Sequence, residues 1–281
     1  MINFPQIVTF RITSQCNHNC KYCYGPKNIR ELNFPELKKI FNLFYKKGVR
    51  AVVLTGGEPL LREDIVKIFQ ELKKNNFKIF LDTNGDFFFK YKDYIDKYVD
   101  VLGLPIDYSS KSRTYRDSKN FENILKILNY YEEKRIKPTL RVGTVVTKEN
   151  LNDLKNIAEL LKNYKIDIWK LYQFMPSGTN AALNKRDLQI NTINFKRKTD
   201  CIKEKYSKYF KIVISKTSER SNAYFLLDPD GRVFMPIGDF KAQEEVIIGN
   251  IFDKDIGNKW KKLVSRENYI NNAEMTFNYK F

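Results

Sequence analysis

The sequence predicts an α/β protein built on an open parallel sheet. Short runs of β-branched and aromatic residues alternate with segments of helical period between residues 7 and about 172, and this alternation is typical of parallel strands joined by crossover helices. The chain has 281 residues and 42% hydrophobic content, enough to bury a full core. Six βα units are too few to close an eight-stranded barrel, so we expect the sheet to stay open.

The elements follow from hydrophobic period and turn residues. The predicted strands cover residues 7–12, 51–54, 78–82, 101–106, 139–146 and 168–172. The predicted helices between them cover residues 35–47, 63–75, 92–97, 120–134 and 151–162.

The pattern changes from residue 190 onward. A basic helix is predicted around residues 192–208 and a strand near 210–214. Asp228-Pro229-Asp230-Gly231 then predicts a turn between strands at 224–227 and 232–234. Neither a Gly-, Ser- or Pro-rich linker nor an internal repeat separates this part, so we expect one structural unit with an appended lid.

The charge of the chain is strongly positive, at +17. A basic excess raises the question of a nucleic-acid partner, but the lysines are dispersed over many helical faces, which favours solvated surfaces and makes nucleic acid unlikely as a partner. Acidic electron carriers or phosphorylated substrates would be attracted. No run of eighteen apolar residues and no signal-like start occurs, so we expect a cytoplasmic protein with no membrane partner.

Three cysteines, Cys16, Cys20 and Cys23, lie in one short loop after the first predicted strand. Thiolates at this C-x3-C-x2-C spacing can share one iron–sulfur cube whose fourth iron stays open. A zinc knuckle with His18 as fourth ligand, or three unrelated core thiols, are the alternatives. Zinc is disfavoured because His18 lies inside the loop instead of in a second ligand pair.

A second motif, Gly56-Gly57-Glu58-Pro59, directly follows the apolar run at 51–54. Together with the cysteine loop and Tyr22 before its last cysteine, it resembles the radical S-adenosylmethionine (SAM) superfamily. The resemblance implies an open partial (β/α)6 barrel over residues 1–190 and a [4Fe–4S] cluster on the three cysteines. It further implies that the Gly-Gly-Glu-Pro turn binds the methionine amino group of SAM, which the cluster cleaves to a radical that abstracts a substrate hydrogen.

Polar residues follow the other predicted strands at the edge where barrel enzymes bind ligands. The resemblance implies that Asn84, Asp107 and Arg141 contact the methionyl-ribose part of SAM. It places Tyr22 and the segment Tyr172, Gln173 and Phe174 beside adenine. The residues alone leave alternatives open, because Asn84-Gly85 is also a turn dipeptide and Asp107 could cap a helix.

The C-terminal extension, residues 191–281, resembles the small α+β caps that carry auxiliary clusters in peptide-modifying members of the superfamily. Met235-Pro236-Ile237 stands where a first cysteine would be expected. We therefore predict a substrate-covering cap without an auxiliary cluster. The remaining cysteine, Cys201, is predicted to be a thiol without a chemical role. The alternative is that it donates a hydrogen atom.

Several segments beyond the shared core resemble the viperin-like members, which dehydrate a nucleoside triphosphate. They are residues 120–125, 144–150, 169–174 and 222–228. The resemblance implies that Lys170, Arg116 and either Lys216 or Arg220 meet phosphates, and that a flavodoxin- or ferredoxin-type protein is the reductant. A ribosomally made peptide is the alternative substrate, and a non-enzymatic iron–sulfur carrier or sensor is the alternative class.

Overall fold

One open sheet of ten strands organises the part of the chain that the computed structural model describes, residues 4–111, 115, 116, 118–136, 138–239, 241 and 243–277. Seven strands run parallel and lie side by side in chain order. They are β1 (Ile7–Thr13), β2 (Ala51–Gly56), β3 (Lys78–Asp82), β4 (Val101–Pro105), β5 (Thr139–Val146), β6 (Ile168–Gln173) and β7 (Lys211–Ser215). The predicted α/β class with an open parallel sheet is confirmed.

Three C-terminal strands extend the sheet beyond β1, at the edge opposite β7. Strand β8 (Leu226–Leu227) pairs in parallel with β1, and β9 (Arg232–Gly238) and β10 (Gln243–Asn250) follow in antiparallel pairing. The predicted turn is present between β8 and β9, where the Asp228 N–H donates to the Arg232 carbonyl at 2.9 Å. The division at residue 190 stays a prediction, since strands on its C-terminal side lie at both edges of this sheet.

Helices cross over between the parallel strands and continue after them. They are α1 (Phe34–Lys46), α2 (Ile65–Lys74), α3 (Phe88–Tyr98), α4 (Ser118–Glu132), α5 (Leu154–Leu161), α6 (Thr179–Leu183), α7 (Lys185–Leu188), α8 (Thr192–Tyr206), α9 (Thr217–Arg220), α10 (Ile256–Leu263) and α11 (Arg266–Phe277). Helix α1 shows why such segments form: the Asn33 side chain accepts the Glu36 N–H in a capping box. None of the described helices is long and apolar enough to cross a membrane.

The two faces of the sheet have different partners because side chains alternate along a strand. On β1, Val8, Phe10 and Ile12 are buried in the main hydrophobic core under the helices. Thr9 and Arg11, between them, line a cavity on the opposite face. The face of the sheet opposite the helices, which we call the inner face, therefore forms the wall of the cavity.

Candidate active site

A cavity of about 360 Å³ lies at the C-terminal ends of the parallel strands, the edge where α/β barrels bind their ligands. Its wall has three parts: the loop after β1, the inner faces and ends of β1 to β6, and residues of the predicted cap between Arg220 and Ala273. Residues from both halves of the chain thus enclose one space.

All three cysteines of the loop line this cavity. Cys20 is buried, Cys23 is partly buried and Cys16 is exposed. Helix α6 holds the loop from outside, since the Asn180 side-chain amide donates to the Cys20 carbonyl at 2.9 Å. The Asn180 and Ala181 N–H groups donate to the Cys23 carbonyl at 3.1 and 3.0 Å.

The thiols do not converge on a single point. Among the described residues, no three His, Cys, Asp or Glu side chains could hold one metal ion between them. An iron–sulfur cube needs no such convergence because each thiolate binds a different iron. His18, the zinc ligand considered above, contacts a carboxylate instead, with its Nε2 2.6 Å from an Asp86 oxygen.

The glycine turn lies directly against the cysteine loop. The Gly57 N–H donates to the Thr13 carbonyl and the Glu58 N–H to the Gln15 carbonyl, both at 2.8 Å. A Cβ on Gly57 would stand 2.0 Å from the Gln15 oxygen, and Gly56 has a φ of +135°. Only glycine fits such a close backbone approach, and both glycines line the cavity.

Glu58 lies behind the cavity wall and not on it. Its buried carboxylate accepts hydrogen bonds from the Leu60 N–H at 3.0 Å, the Thr83 hydroxyl at 2.7 Å and the Asn84 N–H at 2.6 Å. Burial raises the pKa of Glu58 to about 7. Glu58 therefore ties the ends of β2 and β3 together, while its contact with SAM, like that of the buried Pro59, stays a prediction.

Asn84 and Asp107 both line the cavity, while their contacts with SAM stay predictions. The Asn84 amide donates to the Asn17 side chain in the cysteine loop at 2.8 Å. Asp107 accepts from the Tyr22 hydroxyl and from the Arg116 guanidinium, the latter at 3.4 Å, and Arg116 also donates to Tyr22. These contacts fix the loop to the ends of β3 and β4.

An ion pair on the cavity wall was not predicted from the sequence. Arg141 on β5 donates to Asp82 at the end of β3, across the intervening strand β4. A Cβ on Gly103 of β4 would stand 1.9 Å from the Asp82 oxygen, so that glycine makes room for the pair. The side chain of Asp82 is 35% exposed, against 7% for Arg141.

Lys170 on β6 is 7% exposed and lines the same wall. Within the described part of the chain its ammonium has no hydrogen-bond or ion-pair partner, and it lies 4.8 Å from the centre of the Tyr172 ring. Burial, with the nearby Arg141 next in importance, lowers the pKa of Lys170 to about 7. Arg220 also lines the wall and donates to the Gln173 and Lys216 carbonyls.

The remaining predicted residues divide between the cavity and other surroundings. Phe174 is buried beside Tyr22 and Cys20. Gln173 also lines the cavity, but its side chain is hydrogen-bonded to residues that do not: it donates to the Ile190 carbonyl at 3.2 Å and accepts from the Thr217 N–H at 3.2 Å.

Besides Glu58 and Pro59, two further predicted residues do not lie on the cavity wall. Cys201 is exposed on α8, and Lys216 is paired with Glu219. A hydrogen-donor role for Cys201 and a phosphate-binding role for Lys216 stay predictions.

Comparison with known proteins gives the family. The radical SAM superfamily domain matches residues 10–161, more than half of the chain. The chain is similar to an S-adenosylmethionine-dependent nucleotide dehydratase of Selenomonas ruminantium, at 24% identity over 89% of this chain and 92% of that protein. A protein with the same description from Flammeovirga pacifica is 25% identical over 92% of this chain and 97% of its own length.

Among solved structures, Streptococcus suis SuiB bound to S-adenosylmethionine has a TM-score of 0.73 at 15% identity, and the match covers 96% of this chain and 68% of SuiB. At that identity the likeness shows the fold. Together with the domain match, these findings establish that the chain belongs to the radical SAM superfamily, as an enzyme that uses a [4Fe–4S] cluster and S-adenosylmethionine.

Proposed function

We propose that this enzyme dehydrates a nucleotide, and that a nucleoside triphosphate is its substrate. The observation that carries the proposal is a pair of cations, Lys170 and Arg220, on one wall of the cavity with no carboxylate partner among the described residues. The reaction class is supported by the relatives described as nucleotide dehydratases, which match nearly the full chain.

The donor set suits the two cofactors. Cys16, Cys20 and Cys23 would hold the cluster, since three thiols on one wall leave one iron for SAM. The Gly56–Gly57 turn and Asn84 line the cavity, and the turn packs so closely on the chain before Cys16 that a Cβ on either glycine would meet the Thr13 or Gln15 backbone. When bound, the cluster and SAM supply a 5′-deoxyadenosyl radical, which takes a hydrogen atom from the substrate.

The charge of the cavity wall favours a polyanion. Five cationic side chains line the cavity against two carboxylates: Arg11, Arg116, Arg141, Lys170 and Arg220 against Asp82 and Asp107. Arg11 forms ion pairs with Asp228 and Glu245, two carboxylates that do not line the cavity. The ion pairs account for three of the five cations, so Lys170 and Arg220 provide the charge left for phosphates.

Lys170 would be charged fully only when the phosphates arrive. Around pH 7 its buried amine is about half protonated in the free enzyme, given a pKa of about 7. A phosphate oxygen beside it favours the ammonium, so binding takes up part of a proton. Arg220 keeps its charge throughout.

The cap would cover the substrate. Tyr224, Leu226, Tyr269 and Ala273 all line the cavity and belong to the proposed extension. Apolar side chains at this place would exclude water from the reacting centre, which protects a radical from side reactions. The substrate-covering role proposed for residues 191–281 rests on these four positions.

The test is turnover with defined nucleotides. The reconstituted enzyme, with dithionite and SAM, is offered each common ribo- and deoxyribonucleoside triphosphate, and 5′-deoxyadenosine and a product lighter by one water are measured by mass spectrometry. Lys170→Met should raise the apparent substrate constant about ten- to a hundredfold, while Lys262→Met, an exposed lysine on α10, should not.

Formation of 5′-deoxyadenosine that responds to no nucleotide would refute the nucleotide substrate. A precursor peptide would then be the next candidate, tested by the same increase in 5′-deoxyadenosine.

A further inference from the structure

One carboxylate on the cavity wall has an oxygen without a partner. Asp82 is the last residue of β3, and the Arg141 guanidinium donates to its Oδ1. Within the described part of the chain, the other oxygen, Oδ2, has no hydrogen-bond or ion-pair partner. A guanidinium can bind both oxygens of a carboxylate in parallel. The single contact therefore leaves Asp82 with an open acceptor.

The exposure of the ion pair shows where this acceptor points. The Asp82 side chain is 35% exposed and lines the cavity, whereas the Arg141 side chain is only 7% exposed. Neutralising a buried arginine does not require an exposed counter-ion, because buried charges are stable when they are paired with each other. The open part of the carboxylate thus faces the space that a ligand would fill.

The register of the strands relates Asp82 to the proposed phosphate site. Asp82, Gly103 and Arg141 are aligned across β3, β4 and β5. Lys170 is aligned with Gly143, which lies two residues beyond Arg141 on the same face of β5. Two residues of a parallel strand span about 6.6 Å. The carboxylate therefore lies one such step deeper in the cavity than the row that holds the Lys170 ammonium.

The charges of Asp82 and Lys170 act on each other across the cavity. Burial, and after it Arg141, lower the pKa of Lys170, and the Asp82 carboxylate opposes both. A ligand that binds at Lys170 is consequently within the electrostatic reach of Asp82.

Electrostatics decides which part of a nucleotide can lie against Asp82. Phosphates are repelled by a carboxylate and attracted by Lys170 and Arg220. A neutral hydroxyl, in contrast, donates a hydrogen bond to a carboxylate. The hydroxyls of the sugar are the donors nearest to the 5′-phosphates in a nucleoside triphosphate, and acidic side chains bind ribose hydroxyls in dinucleotide-binding folds.

We propose that Asp82 accepts a hydrogen bond from a sugar hydroxyl of the nucleotide and so distinguishes the substrate from its deoxy analogues. The inference rests on the proposed function. With the phosphates on Lys170 and Arg220 and the sugar on Asp82, the nucleotide can enter in one direction only. The sugar then lies towards the cysteine loop, since Asn84, two residues after Asp82, donates to Asn17 of that loop.

The experiment measures nucleotide binding without turnover. Anaerobic calorimetry on the reconstituted enzyme, with SAM and no reductant, compares the four common ribonucleoside triphosphates with their 2′-deoxy and 3′-deoxy analogues. In the wild type, loss of one of the two hydroxyls should weaken binding about tenfold or more, because the acceptor is charged. In Asp82→Asn the same loss should cost less than about threefold, because the amide oxygen is a neutral acceptor.

A matched control lies at the opposite end of the strands. Asp100 precedes β4 and is paired with Lys73 and Lys78, so Asp100→Asn removes the charge of another ion-paired carboxylate. This variant should discriminate between the analogues like the wild type. Asp82→Ser removes the Asp82 charge in a second way and should behave like Asp82→Asn. Iron content and equilibrium dialysis with SAM check that each variant is loaded.

Three results would overturn the role of Asp82. The first is equal wild-type affinity for a nucleotide and both of its deoxy analogues, which is measured without any variant. The second is an undiminished loss in the Asp82 variants, which would assign the hydroxyl to another residue. The third is weaker SAM binding in these variants with unchanged discrimination, which would assign Asp82 to SAM. Absence of binding of every nucleotide to the wild type would instead refute the proposed function, so the two failures are distinguishable.

Discussion

Replacing Lys170 by methionine tests the proposed phosphate site most directly. Methionine keeps an apolar chain of similar length and removes the charge. The variant therefore tests the role of the buried ammonium, whose pKa is lowered from 10.5 to about 7. That lowering corresponds to roughly 5 kcal/mol by which the free cavity disfavours the charged form.

The pH dependence follows from the same pKa. If the nucleotide binds only the protonated form, wild-type affinity falls about tenfold per pH unit above 7. The total loss of affinity cannot exceed what the charged hydrogen bond contributes. That contribution is about 1.5–3 kcal/mol, or roughly ten- to a hundredfold in affinity. Wild type and Lys170→Met should therefore differ most at pH 7 and bind nearly alike at pH 9.

The assay is anaerobic calorimetry with SAM present, between pH 7 and 9, where the triphosphate is already ionised. Proton uptake is measured from the dependence of the binding enthalpy on the ionisation enthalpy of the buffer. Lys170→Arg is the control because arginine stays charged, so its affinity should not vary with pH. Equal affinities of wild type and Lys170→Met at pH 7 would refute the reasoning, as would a wild-type affinity that is constant up to pH 9.

Four further outcomes are expected. Anaerobic reconstitution should give about four irons per chain, and Cys16→Ala should lose iron and SAM cleavage; eight irons would contradict a cap without a cluster. Gly57→Ala should lose SAM binding in equilibrium dialysis, whereas Gly25→Ala, whose Cβ meets no atom closer than 3.6 Å, should keep it; equal binding would contradict the close-approach argument. Glu58→Ala should lower the free energy of unfolding by about 2–5 kcal/mol, because three buried donors lose their acceptor; urea unfolding checks this. For the nucleotide-free protein, the free energy of unfolding of wild type relative to Lys170→Met should rise between about pH 7 and 10, because the unfolded chain retains the lysine proton that the folded chain has released; a flat difference would contradict the lowered pKa.

The strands were well predicted where apolar runs end in turn residues. The predictions for residues 78–82 and 139–146 agree with β3 and β5 at both ends. Strand β7 was predicted near residues 210–214, but its parallel pairing with β6 was not, because pairing depends on residues far apart in the chain. Helix α3 begins at Phe88, four residues before its prediction, since the run Phe87-Phe88-Phe89 has the composition of a strand.

The site was predicted as far as its motifs extend. The cysteines and the Gly56–Gly57 turn could be recognised from their spacing in the sequence. Asp82 could not, because the sequence marks it only as the last residue of a predicted strand. The alternation of side chains along a strand could have shown that Lys170 and Gln173 differ in their surroundings. They are three positions apart, so their side chains point to opposite faces of β6. Only the structure showed that Asp82 neutralises Arg141.

The pairing of β8 with β1 closes one cavity from two parts of the chain that are synthesised at different times. The thiols leave the ribosome first, and the cap residues that line the same cavity follow up to 250 positions later, counted from Cys23 to Ala273. At translation rates of about 5–20 residues per second, that interval is roughly 12–50 s. For that time the nascent chain lacks the part of the cavity wall that the cap supplies, so its three sulfur atoms are open to solvent on the side that the folded protein encloses.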